Sequence, residues 1–113
     1  MKEKIEFSEF LELEKKIEIK VGTVTHVEEV PKSNKLLKLT VSFGGSDIQT
    51  VLTNIKPHLE NPKSMEGYKF MFVTNLKPVV MMGIESTAMI MPGDIENGTP
   101  LVTVNGDSGT KMM

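Results

Sequence analysis

Alternation of apolar and polar residues is the clearest pattern in this chain, and it predicts short β-strands. Residues 37–43 alternate strictly, as a strand does when one face is buried and the other is solvated. Residues 44–47, Gly-Gly-Ser-Asp, then give a turn signal that leads into a second strand over 48–53, which predicts a hairpin. Lys38 belongs to the polar set and is expected to point outward.

The N-terminal part predicts one short helix followed by a long strand. Residues 7–16 carry a narrow apolar stripe at helical spacing, with Ser8 as the expected N-cap, and we expect this helix to cover the core as a lid. Residues 17–30 predict a strand whose apolar parity changes at Gly22-Thr23, where a β-bulge would bend it. A long, bent first strand can serve both sides of one small barrel.

The C-terminal half predicts further strands. Residues 69–74 are almost continuously apolar, which is typical of a strand covered on both faces. Residues 84–91 predict a fifth strand after a turn at Gly83, and residues 101–104 predict one more short strand. Five short strands and one helix favour an all-β fold, a closed or partly closed barrel in a single domain over 1–113.

The loop before the fifth strand is the first candidate for function. Pro78 cannot donate to a ladder and Gly83 accepts unusual backbone angles, so the stretch 75–92 should display side chains around a turn. The polar residues expected on display are Asn75, Lys77, Glu85 and Ser86. The chain has nine methionines; most should fill the core, whereas Met81 and Met82 should be exposed.

Charge adds a basic region to this picture. The net charge of the whole chain is −2, which argues against a surface coated in positive charge. Residues 31–82 carry seven lysines against three acids, hence +4, whereas residues 1–30 and 83–113 are each −3. Every basic residue is lysine, so an anion site would use point charges rather than bidentate guanidinium groups. The lysines most expected to converge are Lys32, Lys35, Lys38 and Lys77; a chance surplus on a solvated surface is the alternative.

Motifs for catalysis or metal binding are absent from the sequence. His26 and His58 have no partners at ligand spacing and the chain has no cysteine, so we expect neither a metal site nor a disulfide. There is no nucleophile with its base, no phosphate loop and no paired carboxylates, so we expect a protein that is not an enzyme and needs no cofactor. No secretory signal and no membrane-length apolar run are present, which predicts a cytoplasmic location.

Four motifs, in order, resemble a known family. They are Ile17-Glu-Ile-Lys-Val-Gly-Thr-Val, Asn34-Lys-Leu-Leu-Lys-Leu-Thr-Val-Ser-Phe-Gly, Asn75-Leu-Lys-Pro and Gly83-Ile-Glu-Ser-Thr-Ala-Met. Together they look like the tRNA-binding domain that occurs as a stand-alone protein and as an appendage of methionyl-tRNA and some phenylalanyl-tRNA synthetases. The resemblance implies a five-stranded oligonucleotide-binding (OB) barrel over residues 17–92 that grips folded tRNA without doing chemistry on it, in trans to a synthetase.

The resemblance also implies site residues and a homodimer. The family's Asn-Leu-Lys-Pro loop corresponds to residues 75–78, and its Glu-Ser-x-Gly-Met loop corresponds to Glu85, Ser86 and Met89. The tail over 93–113 is similar to the extension through which stand-alone members form symmetric dimers. With the lysines, the expected tRNA-binding residues are Lys32, Lys35, Lys38, Asn75, Lys77, Glu85, Ser86 and Met89.

Three departures from the family pattern favour a second hypothesis. Ala88 stands where the family has glycine, and Val80 and Met82 stand at positions that are often basic. The same fold occurs in dimeric export chaperones of the CsaA type, which bind unfolded polypeptide in apolar surface pockets. Val80, Met81 and Met82 on an exposed loop would suit that ligand.

Overall fold

The computed structural model describes residues 2–113. Within this range the chain forms one α-helix, seven short strands and two turns of 3₁₀ helix. In chain order these are α1 (Phe7–Glu14), β1 (Ile19–Glu29), β2 (Leu37–Ser42), β3 (Ile48–Thr53), 3₁₀ turns at Lys56–His58 and Pro62–Met65, β4 (Lys69–Val73), β5 (Val79–Met81), β6 (Ile84–Ser86) and β7 (Met89–Ile90).

Five of the strands form one antiparallel sheet that curls into a half-barrel. The order across the sheet is β3-β2-β1-β4-β7, and β5 pairs with β6 as a separate hairpin. Although β3 and β7 are the two edge strands, they lie in contact with each other, so the sheet must curve until its edges meet. The hairpin of β5 and β6 packs against β3 beside this seam. The predicted all-β, OB-like fold is confirmed.

The inward faces of the strands share one hydrophobic core. On β2 the side chains of Leu37, Leu39 and Val41 are fully buried and alternate with half-buried polar residues, as predicted. The rings of Phe43 and Phe72 pack edge to face with centroids 5.3 Å apart. Full burial of side chains of this size contributes roughly 1.5–3 kcal/mol each, so the core is the main source of stability.

Strand β4 is covered on one face, not on both as we expected. Phe70 and Phe72 are buried, whereas Met71 and Val73 are only half-buried. The two pairs alternate along the strand, so Phe70 and Phe72 face the core and Met71 and Val73 lie on the opposite face of the sheet.

The bulge in β1 lies three residues beyond the predicted place. The register with β2 shifts between Val24 and His26, so that Thr25 is the extra residue. Gly22 is instead a packing position, because a Cβ there would lie 2.6 Å from Cγ1 of Val41. Local sequence marked the residue that must be small, whereas the bulge itself is set by pairing with β2.

Two predictions for the helix are wrong. The residue at the N-cap of α1 is Glu6, with no side-chain capping hydrogen bond, so Ser8 is not the cap. No residue of α1 is buried, and Phe7 is 73% exposed, so the helix is not a lid. It extends from the barrel and leaves its apolar side chains uncovered. The exposed apolar side chains of this segment are Ile5, Phe7, Phe10, Leu11, Leu13 and Ile17.

The tail pairs with β1 instead of forming a strand at 101–104. Val21 accepts a hydrogen bond from the amide of Gly109 (2.8 Å) and donates one to the carbonyl of Thr110 (2.9 Å). Ile19 donates to the carbonyl of Met113 (2.8 Å). Because β2 reaches only to Thr23 along β1, this edge of the first half of β1 is free for the tail.

Glu66 supports the bulged part of β1 through its carboxylate. Oε2 accepts a hydrogen bond from the amide of Val27 (2.8 Å) and lies 3.3 Å from Nζ of Lys63 and 3.2 Å from Nδ1 of His26. The hydrogen bond from Val27, assisted by the charges of Lys63 and His26, holds the pKa of Glu66 below its ordinary value of 4.5, against a smaller opposing effect of burial. The native state therefore favours the ionised carboxylate.

Because the pKa of Glu66 is lowered, the stability of the fold depends on pH in the acid range. A group whose pKa is depressed on folding stabilises the protein above its unfolded pKa and loses that contribution as pH falls through the folded one. We expect the unfolding temperature to fall as pH drops below about 4.5, and Glu66→Gln, which can still accept from Val27 but cannot titrate, to weaken this dependence. Thermal unfolding followed by circular dichroism across this range measures it. The exposed Glu60→Gln serves as a control and should leave the acid limb unchanged.

Candidate functional site

The tip of the β5–β6 hairpin is a two-residue turn that requires an unusual backbone. Met82 and Gly83 connect paired Met81 and Ile84, and both have positive φ, 53° and 77°. A hairpin turn with two positive φ values normally carries glycine or asparagine. A left-handed backbone conformation costs a non-glycine residue about 1–2 kcal/mol. Met82 therefore has a strained backbone, and its side chain is 55% exposed. The predicted turn at Gly83 and the exposure of Met81 and Met82 are confirmed.

An apolar groove runs beside this hairpin. It consists of two adjoining cavities of about 270 Å³ and about 180 Å³, which share Leu52, Met81 and Met89 as lining residues. Leu36 lines one end of the groove and Leu76 the other. The lining is mostly apolar and includes three leucines and two methionines, whose flexible side chains can adapt to different apolar ligands.

Of the candidate lysines, Lys77 alone lines the groove. Lys77 lines it at the Leu76 end, and Lys35 precedes Leu36 at the other end. Lys38 lies directly opposite Leu52 in the β2–β3 ladder, so the two side chains share the outer face of the sheet. Lys32 is exposed in the turn between β1 and β2, has a φ of 66° and does not line the groove.

Among the described residues the four candidate lysines have no acidic partner, whereas four other lysines, among them Lys56 and Lys63, are paired. Lys56 pairs with Glu29 at 3.0 Å, and Lys63 pairs with Glu66 at 3.3 Å. Within residues 2–113, by contrast, no carboxylate lies within 4.0 Å of the ammonium groups of Lys32, Lys35, Lys38 or Lys77. A larger depression of about 410 Å³ beside Val27 is lined by Glu28, Glu29 and Lys63, so it does not offer unpaired positive charge.

Asn75 is exposed, but its side chain holds two segments of the chain together. Its Oδ1 accepts a hydrogen bond from the amide of Glu18 (2.9 Å), and its Nδ2 donates one to the carbonyl of Lys16 (2.7 Å). The neighbouring amide of Thr74 also donates to the carbonyl of Glu18 (2.9 Å). Asn75 therefore joins the start of the loop over residues 75–78 to the connection between α1 and β1, and so positions Lys77.

Ser86 is buried, so the expectation that it is displayed is wrong. It is 7% exposed, and its Oγ accepts a hydrogen bond from the amide of Leu52 (3.0 Å) while donating to the carbonyl of Ala88 (3.1 Å). This contact ends β6 and redirects the chain, which is why the predicted strand over 84–91 is split into β6 and β7.

The remaining candidate residues are distributed on both sides of the hairpin. Glu85 is exposed on β6 opposite Val80 on β5, and Val80 is 64% exposed. Met89 is 49% exposed and lines the groove. Ala88 is buried in the core, which accommodates its methyl group in place of the family's glycine.

The expectation that most methionines fill the core is wrong. Among residues 2–113 only Met65 is buried, at 1% exposure, whereas Met81, Met82, Met89 and Met112 are exposed. Sequence reasoning also missed Leu36 and Leu52 as groove residues. Each is adjacent to another apolar residue, Leu37 or Val51, and neighbours on a strand cannot both face one core. The adjacent apolar pairs Leu36-Leu37 and Val51-Leu52 are therefore the sequence signal that one member of each pair faces away from the core.

Neither a metal cluster nor a membrane helix is found in the described part of the chain. No three histidine, aspartate or glutamate side chains among residues 2–113 are grouped to hold a metal ion. The only helix there, α1, is far too short to cross a bilayer. His26 lies between Glu28 and Glu66, at 3.3 Å and 3.2 Å, and belongs to the support of the bulge.

The curled sheet and the lysine-edged groove define a small OB-like binding module. Residues 19–111 match the family model described as "Putative tRNA binding domain". The chain belongs to this tRNA-binding domain family, and the resemblance seen in its motifs is confirmed.

Relatives come from two groups of proteins. The chain is 38% identical over 113 residues to methionine–tRNA ligase from Methanocaldococcus jannaschii, a match that covers 97% of this chain and 17% of that enzyme. The chain thus spans less than a fifth of the length of the curated relative. Its fold is similar to the MetRS related protein from Pyrococcus horikoshii (34% identity, TM-score 0.81, covering 99% of this chain and 100% of that one). It is also similar to chaperone CsaA from Bacillus anthracis (26% identity, TM-score 0.72, covering 98% and 100%).

The buried hydroxyl of Ser86 gives a testable prediction. Ser86→Ala leaves the amide of Leu52 and the carbonyl of Ala88 without their partner, which costs about 1–3 kcal/mol of the free energy of unfolding. Urea denaturation measures the loss. Ser46→Ala, at an exposed position in a turn, is the matched control and should change stability by less than about 0.5 kcal/mol. Equal effects of the two substitutions would contradict the structural role of Ser86.

Proposed function

We propose that this chain is a non-catalytic tRNA-binding module that recognises the shape and phosphates of folded RNA rather than a base sequence. The observation that carries the proposal is an apolar groove lined by Lys77, with Lys38 opposite the groove residue Leu52, in a member of the tRNA-binding domain family. Lys38 and Lys77 approach the groove from different elements, β2 and the loop before β5. Two phosphates spaced along one RNA backbone would therefore be held across the apolar groove.

Lysine ammonium groups beside an apolar surface favour RNA binding whose affinity depends strongly on salt concentration and weakly on base sequence. Lysine ammonium groups bind phosphates without fixed geometry and release counterions from the nucleic acid. The mostly apolar lining gives an unstacked base or a ribose an apolar surface but few hydrogen-bonding groups. Because the net charge of the chain is −2, its attraction for RNA is confined to the groove, which disfavours coating of RNA by many copies.

The proposal extends to a synthetase partner. The curated relative is an enzyme of which this chain matches 17%, so the family domain can accompany a catalytic part that lies elsewhere. The MetRS related protein from P. horikoshii has the same extent as this chain, since the match covers all of it. We propose that this chain presents tRNA to an aminoacyl-tRNA synthetase in trans, in the cytoplasm.

Lysine substitutions test the RNA interface. Lys38→Ala and Lys77→Ala should each weaken binding of every tRNA by on the order of 1 kcal/mol and lower the slope of log K against log salt concentration by about 1, because each removes one phosphate contact. Titration of fluorescently labelled tRNA at two or more salt concentrations measures both quantities.

A matched control for these variants is Lys63→Ala. Lys63 is equally basic but is paired with Glu66 at 3.3 Å and lies away from the groove. Its removal should leave the affinity and the salt slope unchanged. Failure of the wild-type protein to bind any tRNA at low salt would refute the proposal.

A second candidate function is binding of unfolded polypeptide. The observation that favours it is the exposure of apolar side chains along the hairpin, with Val79 at 53%, Val80 at 64% and Met82 at 55%. The similarity to chaperone CsaA points the same way. The two functions separate at Met82: Met82→Lys should strengthen tRNA binding, whereas Met82→Ser should release a polypeptide ligand. If the lysine variants bind tRNA normally and Met82→Ser loses an unfolded polypeptide, the chaperone function is the correct one.

We also propose that the protein is a homodimer in which α1 meets α1 of a second copy. A helix of eight residues is not stable alone in water, and α1 buries nothing on its own barrel. We propose that the tail over residues 93–113 also contributes to the dimer; its end lies along β1, where the amide of the exposed Met112 donates to the carbonyl of Ile19 (2.7 Å).

The dimer has a direct test in solution. Phe10→Lys combined with Leu13→Lys should give folded monomers, because these side chains face solvent on their own barrel and lysine preserves helix propensity. Sedimentation velocity measures the state of association. Val80→Lys, at a more exposed apolar residue on the hairpin, should remain dimeric. A wild-type protein that is monomeric at high micromolar concentration would exclude this interface.

A further inference from the structure

The groove contains a cluster of oxidisable sulfur atoms. Met81 and Met89 line it and are 38% and 49% exposed, and Met82 stands at its turn with 55% exposure. The chain has no cysteine, so methionine thioethers are its most readily oxidised side chains. Met65, by contrast, is 1% exposed in the core. The exposed thioethers at the groove are thus separated from the buried thioether of Met65 in the core.

We propose that this groove is a reversible oxidation site, at which conversion of Met81, Met82 and Met89 to methionine sulfoxide lowers the affinity of the groove for its ligand. The oxidant is a peroxide. The thioether sulfur attacks one peroxide oxygen, an S–O bond forms as the O–O bond breaks, and the peroxide is reduced to water or an alcohol while the sulfur loses two electrons. Methionine sulfoxide reductases, with thiols as the electron source, reverse the step.

The tip of the hairpin should react first. A Cβ built at Gly83 meets no atom within 4 Å, so the space around the turn is open. The positive φ of Met82 places this side chain at the turn itself, where a small oxidant has free access. Met81 and Met89 lie on the adjoining strands and face the groove. Among these four the expected order of oxidation is Met82, then Met89 and Met81, and last Met65; Met112, 56% exposed in the tail, should also react early.

A sulfoxide changes the groove in two ways. It replaces an apolar, flexible side chain with a polar one, and the neighbouring Leu52 and Val79 offer no side-chain donor to its oxygen. The oxidised side chain must therefore turn to water or bring water into the groove. Its oxygen is also a hydrogen-bond acceptor beside Lys77, which lines the same cavity, and so it competes with a phosphate for that ammonium group.

The reaction and its effect on binding are measured on the same sample. The protein is treated with hydrogen peroxide, the sites are followed over time by peptide mass spectrometry, and tRNA affinity is measured before treatment, after it and after incubation with reductases of both sulfoxide epimers. We expect early oxidation at the three groove methionines, a loss of affinity of about tenfold, which corresponds to about 1.4 kcal/mol, and recovery after reduction. This affinity measurement rests on the proposed function.

Leucine variants separate oxidation of the groove from general damage. The triple variant Met81→Leu, Met82→Leu and Met89→Leu keeps an apolar groove without an oxidisable thioether, so its own affinity for tRNA, measured before peroxide, should be the same after peroxide. Met71→Leu, at a half-buried position on β4 away from the groove, should stay as sensitive as the wild type. Unchanged affinity of the oxidised wild type, or oxidation of Met65 as fast as that of Met82, would overturn the inference.

The inference about oxidation can still be tested if the protein binds no tRNA. Mass spectrometry reports the order of oxidation without any ligand. The affinity measurement is then repeated with a reduced and carboxymethylated polypeptide, for which oxidation of the groove should also lower binding. A wild-type protein that binds this polypeptide equally well before and after oxidation would overturn the inference independently of the tRNA result.

Discussion

The buried hydroxyl of Ser86 is the interaction on which the groove depends. A sheet that curls into a half-barrel must bring its two edge strands together, and an edge amide that finds no ladder partner is costly to bury. Ser86 accepts from the amide of Leu52 on edge strand β3 and donates to the carbonyl of Ala88 just before β7. One hydroxyl thereby joins both edges to the end of the hairpin. The groove is the space left beside this joint, lined by Leu52, Met81 and Met89.

Asn75 has a comparable structural role at the start of the stretch over residues 75–92. Both residues belong to the motifs by which the chain resembles its family, and both use their side chains within the fold. A motif can thus mark where a binding surface is built without each of its residues touching the ligand. Of the other motif residues, Lys77, Glu85 and Met89 are exposed.

Local patterns predicted the elements well and their connections poorly. The alternation over 37–43 and the turn at 44–47 were enough for β2, β3 and their hairpin, because period and turn chemistry are local properties. The bulge at Thr25 and the pairing of residues 109–113 with β1 depend on backbone hydrogen bonds between distant segments, which side-chain patterns do not encode. The helix was predicted, but its apolar stripe led to a wrong expectation of burial, because a stripe does not say which surface covers it.

The groove places its charges and its apolar surface on different parts of the chain. The positive charge comes from Lys38 on β2 and Lys77 in the loop before β5, whereas the apolar surface comes from other side chains on β3, the hairpin, β7 and the neighbouring loops. Substitutions can therefore change one property without the other. In a protein with arginine and aromatic residues at an RNA interface the two properties would lie in the same side chains, since guanidinium groups both pair with phosphate and stack on bases. Here lysine can supply only charge and methionine only contact, so the salt dependence of binding reports the first and the oxidation state of the sulfur atoms reports the second.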